Sequence, residues 1–166
     1  MPQELVFDRS SRLLRGSEEL GRVEPPTDSG YGWLIVADRE YEIVTYSGWR
    51  FRLVDDGGSS VLALHPFWVG RGGRLRSAGG DRLVLRSIPL RAGRWSLAGA
   101  QGRFSIARDR GWRPFGKSDD PEVPTLHVEM PAETMLLTEL RVALTFACWL
   151  IVLLESTPGS GGGGGG

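Results

Sequence analysis

A thirteen-residue run near the end of this chain restricts its fold more than any other feature. Val142-Ala-Leu-Thr-Phe-Ala-Cys-Trp-Leu-Ile-Val-Leu-Leu154 is apolar throughout, apart from Thr145. From Ala132 to Glu155 there is no Gly and no Pro, so the segment can run as one helix. Pro131 suits a first helical position, Glu133 favours the positive end of the helix dipole, and Pro158-Gly159 is a stop. A helix apolar on all sides is either enclosed by protein or immersed in lipid.

Length separates the two. Thirteen residues of helix rise roughly 20 Å, short of a hydrocarbon core of about 30 Å. Extension back to Met135 gives twenty residues but takes in Glu139 and Arg141. Each costs up to about 2.5–3.5 kcal/mol at the bilayer centre, while the eight Leu, Ile, Val and Phe of the run return about 2.4–4.8 kcal/mol. Insertion is near break-even, and a stretch this short reads first as a core helix. The expectation is a buried helix over residues 132–155. The alternative is a C-terminal anchor over 135–154.

The enclosing material lies upstream. Short β-branched and aromatic segments alternate with glycine turns: Glu4–Phe7, Leu13-Leu14, Leu20–Val23, Trp33–Val36, Tyr41–Tyr46, Trp49–Leu53, Val61–Leu64, Leu83–Leu85, Trp95–Leu97, Phe104–Ile106 and Leu126–Val128. Trp49-Arg-Phe-Arg-Leu53 alternates at period two, so one face is buried while Arg50 and Arg52 meet solvent. Asp55-Asp-Gly-Gly58 is a hairpin turn. With 166 residues and no repeat period, the chain reads as a single mainly β domain over residues 1–155. Its expected form is an antiparallel β-barrel of about nine or ten short strands wrapped around a buried C-terminal α-helix. Residues 156–166 read as a disordered Gly-rich tail.

In layout, from Leu5 to Leu154, the chain resembles the tubby-like superfamily, which includes the LURP-one-related proteins and the phospholipid scramblases. Phe51-Arg-Leu-Val-Asp-Asp-Gly-Gly-Ser-Ser-Val-Leu-Ala-Leu64 is similar to the strand–Asp–Gly–strand hairpin of that superfamily. The resemblance implies a closed barrel around a hydrophobic helix and a non-enzymatic role. Tubby proteins bind membrane phosphoinositides through basic surface residues, whereas many small LURP-one-like proteins have no assigned activity.

Charge points the same way independently. The chain is neutral overall, which argues against a histone-like polycation and makes nucleic acid an unexpected partner. Residues 71–113 nevertheless hold eleven Arg against Asp81 and Asp109, between acidic flanks. Such asymmetry suits an anionic partner. Arg71, Arg74, Arg76, Arg82, Arg86, Arg91 and Arg94 are the candidate anion- or lipid-binding residues, because a guanidinium matches phosphate with a two-pronged donor set. Their alternative role is as solvent-facing strand residues paired with the acidic flanks. Phe67-Trp68, beside Arg71, is a membrane-interface candidate if it is not core.

Catalytic chemistry finds little footing. His65 and His127 have no ligand-type spacing, so no metal and no cofactor is expected. Cys148 lies inside the apolar run, where a thiolate is disfavoured. Gly70-Arg-Gly-Gly73 lacks the helix and Lys-Ser/Thr of a phosphate loop and reads as a hairpin loop. Asp55-Asp56 and Asp119-Asp120 are turn residues that bond local backbone amides. One unpaired Cys and an N-terminus that is no signal peptide give a cytoplasmic expectation, and the arginine-rich block adds membrane association to it. The sequence thus favours a non-catalytic binding module for an anionic membrane surface. Its alternatives are a tail-anchored protein with a cytoplasmic β domain and a small-ligand carrier with an open barrel, for which no substrate is identified.

Overall fold

Period-two alternation marks many of the strands of this molecule. The computed structural model describes residues 3–27, 30–47, 50–68, 71–109 and 124–156. Within them run β1 (Gln3–Phe7), β2 (Arg12–Arg15), β3 (Glu18–Glu24), β4 (Trp33–Val36), β5 (Arg39–Ser47), β6 (Arg50–Val54), β7 (Ser60–Pro66), β8 (Gly72–Ser77), β9 (Arg82–Ser87), β10 (Arg94–Gly99), β11 (Gly102–Arg108), β12 (Leu126–Met130) and α1 (Thr138–Ser156). Each strand pairs antiparallel with its sequence neighbour, and β1 closes on β12 from Gln3↔Met130 to Phe7↔Leu126. The result is a closed barrel. Phe51 and Leu53 of β6 point inward while Arg50 and Arg52 point out, and Leu126, Val128 and Met130 of β12 repeat the pattern.

Twelve strands exceed the expected nine or ten. The clearest addition is β8, whose leading glycines read as loop and whose one large apolar residue is Leu75. Close backbone approach explains the glycines. A Cβ on Gly72, at φ +121°, would strike Leu85 O, and one on Gly73 would strike His65 O and Leu64 Cδ1.

An eight-stranded barrel is filled by its own side chains, whereas twelve strands leave room for a helix about 10–12 Å across. α1 occupies that space. Every residue from Val142 to Cys148 is buried, about two turns, so each side of the helix faces protein. The lumen that a carrier would keep open is filled by Leu144, Phe146, Ala147, Cys148 and Ile151. No helix among the described residues is long and apolar enough to cross a membrane.

Two contacts fix the helix in place. A bulge between Leu13 and Leu14 in the β2–β3 pairing turns both Leu20 and Gly21 inward. Thr145 lies against Gly21, where any Cβ would collide with its Oγ1 and with Val36 Cγ2. The Thr145 hydroxyl donates to Arg141 O at 2.7 Å, so the one polar side chain in the apolar run is satisfied. Farther along, Trp149 stands edge-on to Phe51 (5.4 Å) and stacks on Phe146 (6.0 Å).

α1 starts at Thr138, later than the residue-132 start expected from the lack of Gly and Pro. β12 ends in the barrel wall and the helix runs inside it, so the chain must first cross the barrel radius. A turn closed by Thr134 N–H on Pro131 O (3.1 Å) begins the crossing, and Leu137 N–H on Met135 O (3.0 Å) ends it. Arg141 Nε then donates to Leu136 O at 2.9 Å. The Gly-rich tail and the Pro158-Gly159 stop lie outside the described residues.

Candidate anion-binding face

Strand alternation converts the arginine-rich middle of the chain into a wall. β8 turns Gly73 and Leu75 inward and Arg74 and Arg76 outward, and β9 exposes Arg82 and Arg86. Arg76 stands opposite Arg82, Arg74 opposite Val84 and Arg86 opposite Gly72. One row across the wall reads Arg52–Ala63–Arg76–Arg82. The next reads His65–Arg74–Val84–Ala98–Arg103. Arg52 and Arg103 therefore belong to the same face, although they lie outside the group chosen from sequence. Only the strand register reveals this.

The opposite side of the barrel, at β2 and β3, treats its arginines differently. Arg12 pairs with Asp8 (2.7 Å), Arg15 with Glu18 (2.6 Å), and Arg22 with both Glu19 (2.9 Å) and Glu24 (3.1 Å). The hydrogen bonds that Arg22 donates to Glu19 and then to Glu24 raise its pKa. On the β8–β9 wall, no carboxylate among the described residues pairs with Arg74, Arg76, Arg82 or Arg86. Like charges directly opposite on a sheet are destabilising. Among the described residues, Arg74, Arg76, Arg82 and Arg86 thus carry positive charge that no carboxylate pairs.

Arg71 has another task. Its Nη2 donates to Leu154 O at 2.6 Å and its Nη1 lies 3.7 Å from Glu155. Glu155 also accepts from Trp95 Nε1 (3.0 Å) and Arg108 Nη1 (3.3 Å), with only 9% of its side chain exposed. The last turn of α1 has no basic residue of its own. Arg71 supplies that cation from the barrel, capping the negative end of the helix dipole. Its guanidinium lies over the Trp95 ring at 5.5 Å. Arg71 therefore belongs to a helix lock that no spacing in the sequence signals.

The loops at this end complete the site. Because the strands run up and down, the β1–β2, β3–β4, β7–β8 and β9–β10 connections share the end where α1 finishes. Arg91 and Arg94 line a rim cavity of ≈ 450 Å³ with Arg71, Glu155 and residues 87–93. Phe67 lies under Arg86, 5.0 Å from guanidinium to ring, whereas Trp68 is fully exposed and is not core. Leu90 is equally exposed. Its signal in the sequence is slight, an Ile-Pro-Leu trio in a turn followed by Arg91.

Reactive groups sit elsewhere. Burial pushes the Cys148 thiol well above its ordinary pKa, so it is held as a neutral apolar group. Asp55 Oδ1 accepts from Gly57 and Ser59 N–H, as its turn position implies. Asp119-Asp120 and Trp49 lie outside the described residues. Comparison with protein-family models, with curated proteins and with solved structures gives no match to this chain.

Proposed function

We propose that this chain is a non-catalytic binding module that recognises anionic phospholipid through the arginines of β8–β10. The observation that carries this reading is the contrast between two walls of one barrel. Arginines of β2 and β3 each have a carboxylate, while Arg74, Arg76, Arg82 and Arg86 have none among the described residues. A fold gains nothing from holding Arg76 opposite Arg82 unpaired, whereas a phosphate-bearing surface would neutralise both. The barrel closed on its C-terminal helix, similar in layout to tubby-like proteins, supports placing the chain beside that superfamily. Anionic lipid is concentrated on cytoplasmic leaflets, which is the corresponding location.

The test is co-sedimentation with phosphatidylcholine vesicles and with vesicles containing phosphatidylserine, at low and high salt. Binding should require the anionic lipid and fall with salt. Arg74→Glu, Arg76→Glu and Arg82→Glu together should weaken it at least roughly 100-fold, at about 1 kcal/mol per basic residue near the surface. All three side chains are exposed, so the melting temperature should hold. Arg71 is left alone because it anchors α1. Equal, salt-insensitive behaviour on both vesicle types would overturn the reading.

A further inference from the structure

The two hairpin tips beside the arginine wall each end in a bare apolar side chain. Trp68, after β7, and Leu90, after β9, are both fully exposed. Scattered exposed apolar residues are ordinary, but Leu90 is placed at a cost. Leu90 has φ +61°, a left-handed conformation that costs a residue with a Cβ roughly 1–2 kcal/mol and that Gly or Asn adopts readily. Its turn is nevertheless well tied, with Ile88 N–H on Arg94 O (2.8 Å) and Arg94 N–H on Arg91 O (3.1 Å). The tips are neighbours, since Ser87 N–H donates to Arg71 O at 3.2 Å and Arg86 covers Phe67. Tyr31 and Trp33, also partly exposed, open on the same end.

Charge gives that end a direction. Glu155, the carboxylate of the rim cavity, is already taken by Arg71 and Arg108, which leaves Arg91 and Arg94 unpaired among the described residues. The opposite end opens into a cleft of ≈ 950 Å³ whose charged lining is Asp38, Glu40, Asp55, Asp56 and Glu139 against Arg39. An anionic surface would be drawn to the first end in preference to this net-negative cleft.

We infer that the barrel docks end-on to an anionic bilayer, with Trp68 and Leu90 entering the lipid interface and Arg86, Arg91 and Arg94 contacting headgroup phosphates. This rests on the phospholipid reading above and departs from it in orientation: Arg76 and Arg82, beside the β8–β9 turn, lie at the far end of the wall, so end-on docking predicts a smaller effect of Arg74→Glu, Arg76→Glu and Arg82→Glu than docking on the wall does. Trp is favoured at that depth, where an apolar ring meets polar headgroups. The insertion supplies a part of the binding that salt does not screen.

The experiment compares the full chain with Trp68→Ala/Leu90→Asn on phosphatidylserine-containing vesicles, and repeats it with brominated phosphatidylcholine as a depth-sensitive quencher of tryptophan. Asn keeps the left-handed backbone, and neither substitution changes charge. The expected result is a loss of more than tenfold in affinity, with residual binding abolished by high salt. Bromolipid quenching of the parent should largely vanish in Trp68→Phe. If the parent binds and the double variant binds equally, with quenching unchanged in Trp68→Phe, docking is not end-on, and the phospholipid reading survives through the wall alone. If the parent binds no anionic vesicle, both fall. If instead the parent forms a concentration-dependent dimer that Trp68→Ala dissolves, the tips are a self-association surface and the inference is overturned.

Discussion

His127 lies between two carboxylates, with Nδ1 2.6 Å from Glu4 Oε1 and Nε2 2.6 Å from Asp109 Oδ1. Only the protonated ring can donate at both nitrogens. The hydrogen bond to Asp109, then that to Glu4, raises its pKa above the ordinary 6.5. Since the folded value is raised, this contribution to stability is complete below about pH 6.5 and is lost as pH climbs through the folded value. All three side chains are more than a third exposed, so the effect is modest and salt-sensitive. The melting-temperature difference between the parent and His127→Gln should be largest near pH 6 and shrink by pH 9. A difference independent of pH would contradict this. In the sequence His127 is an isolated histidine, because Glu4 is 123 positions away and becomes a neighbour only when β1 closes on β12.

At the scale of elements, α1 is held at its far end by groups from three strand regions. Glu155→Ala would strip an acceptor from Trp95 Nε1 and leave Arg71 and Arg108 without their carboxylate. The expected cost is on the order of 3 kcal/mol, as for one partner removed from a largely buried ion pair. It would be measured from the denaturation midpoint at unchanged slope. Glu155→Gln should lose less, by keeping an acceptor for Trp95. A cost for Glu155→Ala below about 0.5 kcal/mol, typical of a surface carboxylate, would refute the lock. Elements with regular alternation, such as β6 and β7, are legible in the sequence. β8 is not, because glycine fills the inward position beside Leu75 and leaves one apolar residue to mark a period. The helix is legible as an apolar run, but its start is set by the distance from wall to lumen, which no local signal carries.

At the scale of the whole molecule, hydropathy decides the architecture and register decides the face. Val142–Cys148, apolar on every side apart from Thr145, needs either lipid or an enclosure, and twelve short strands provide the enclosure. The arginines cluster in the sequence because β8–β10 are consecutive strands of a meander. Whether they face one way depends on alternation, which separates Arg74, Arg76, Arg82 and Arg86 from the inward-turned Arg71. The account turns on the helix being the interior of the barrel, since that makes the arginine wall an outer surface. A chain ending at Glu133 keeps all twelve strands and loses α1, so it is the most direct comparison. Thermal unfolding without detergent should show one cooperative transition for the full chain. The shortened chain should aggregate or unfold without a transition, because Leu5, Phe51, Leu97 and Phe104 would line an open lumen. A shortened chain that melts cooperatively, beside a full chain that requires detergent, would contradict the account.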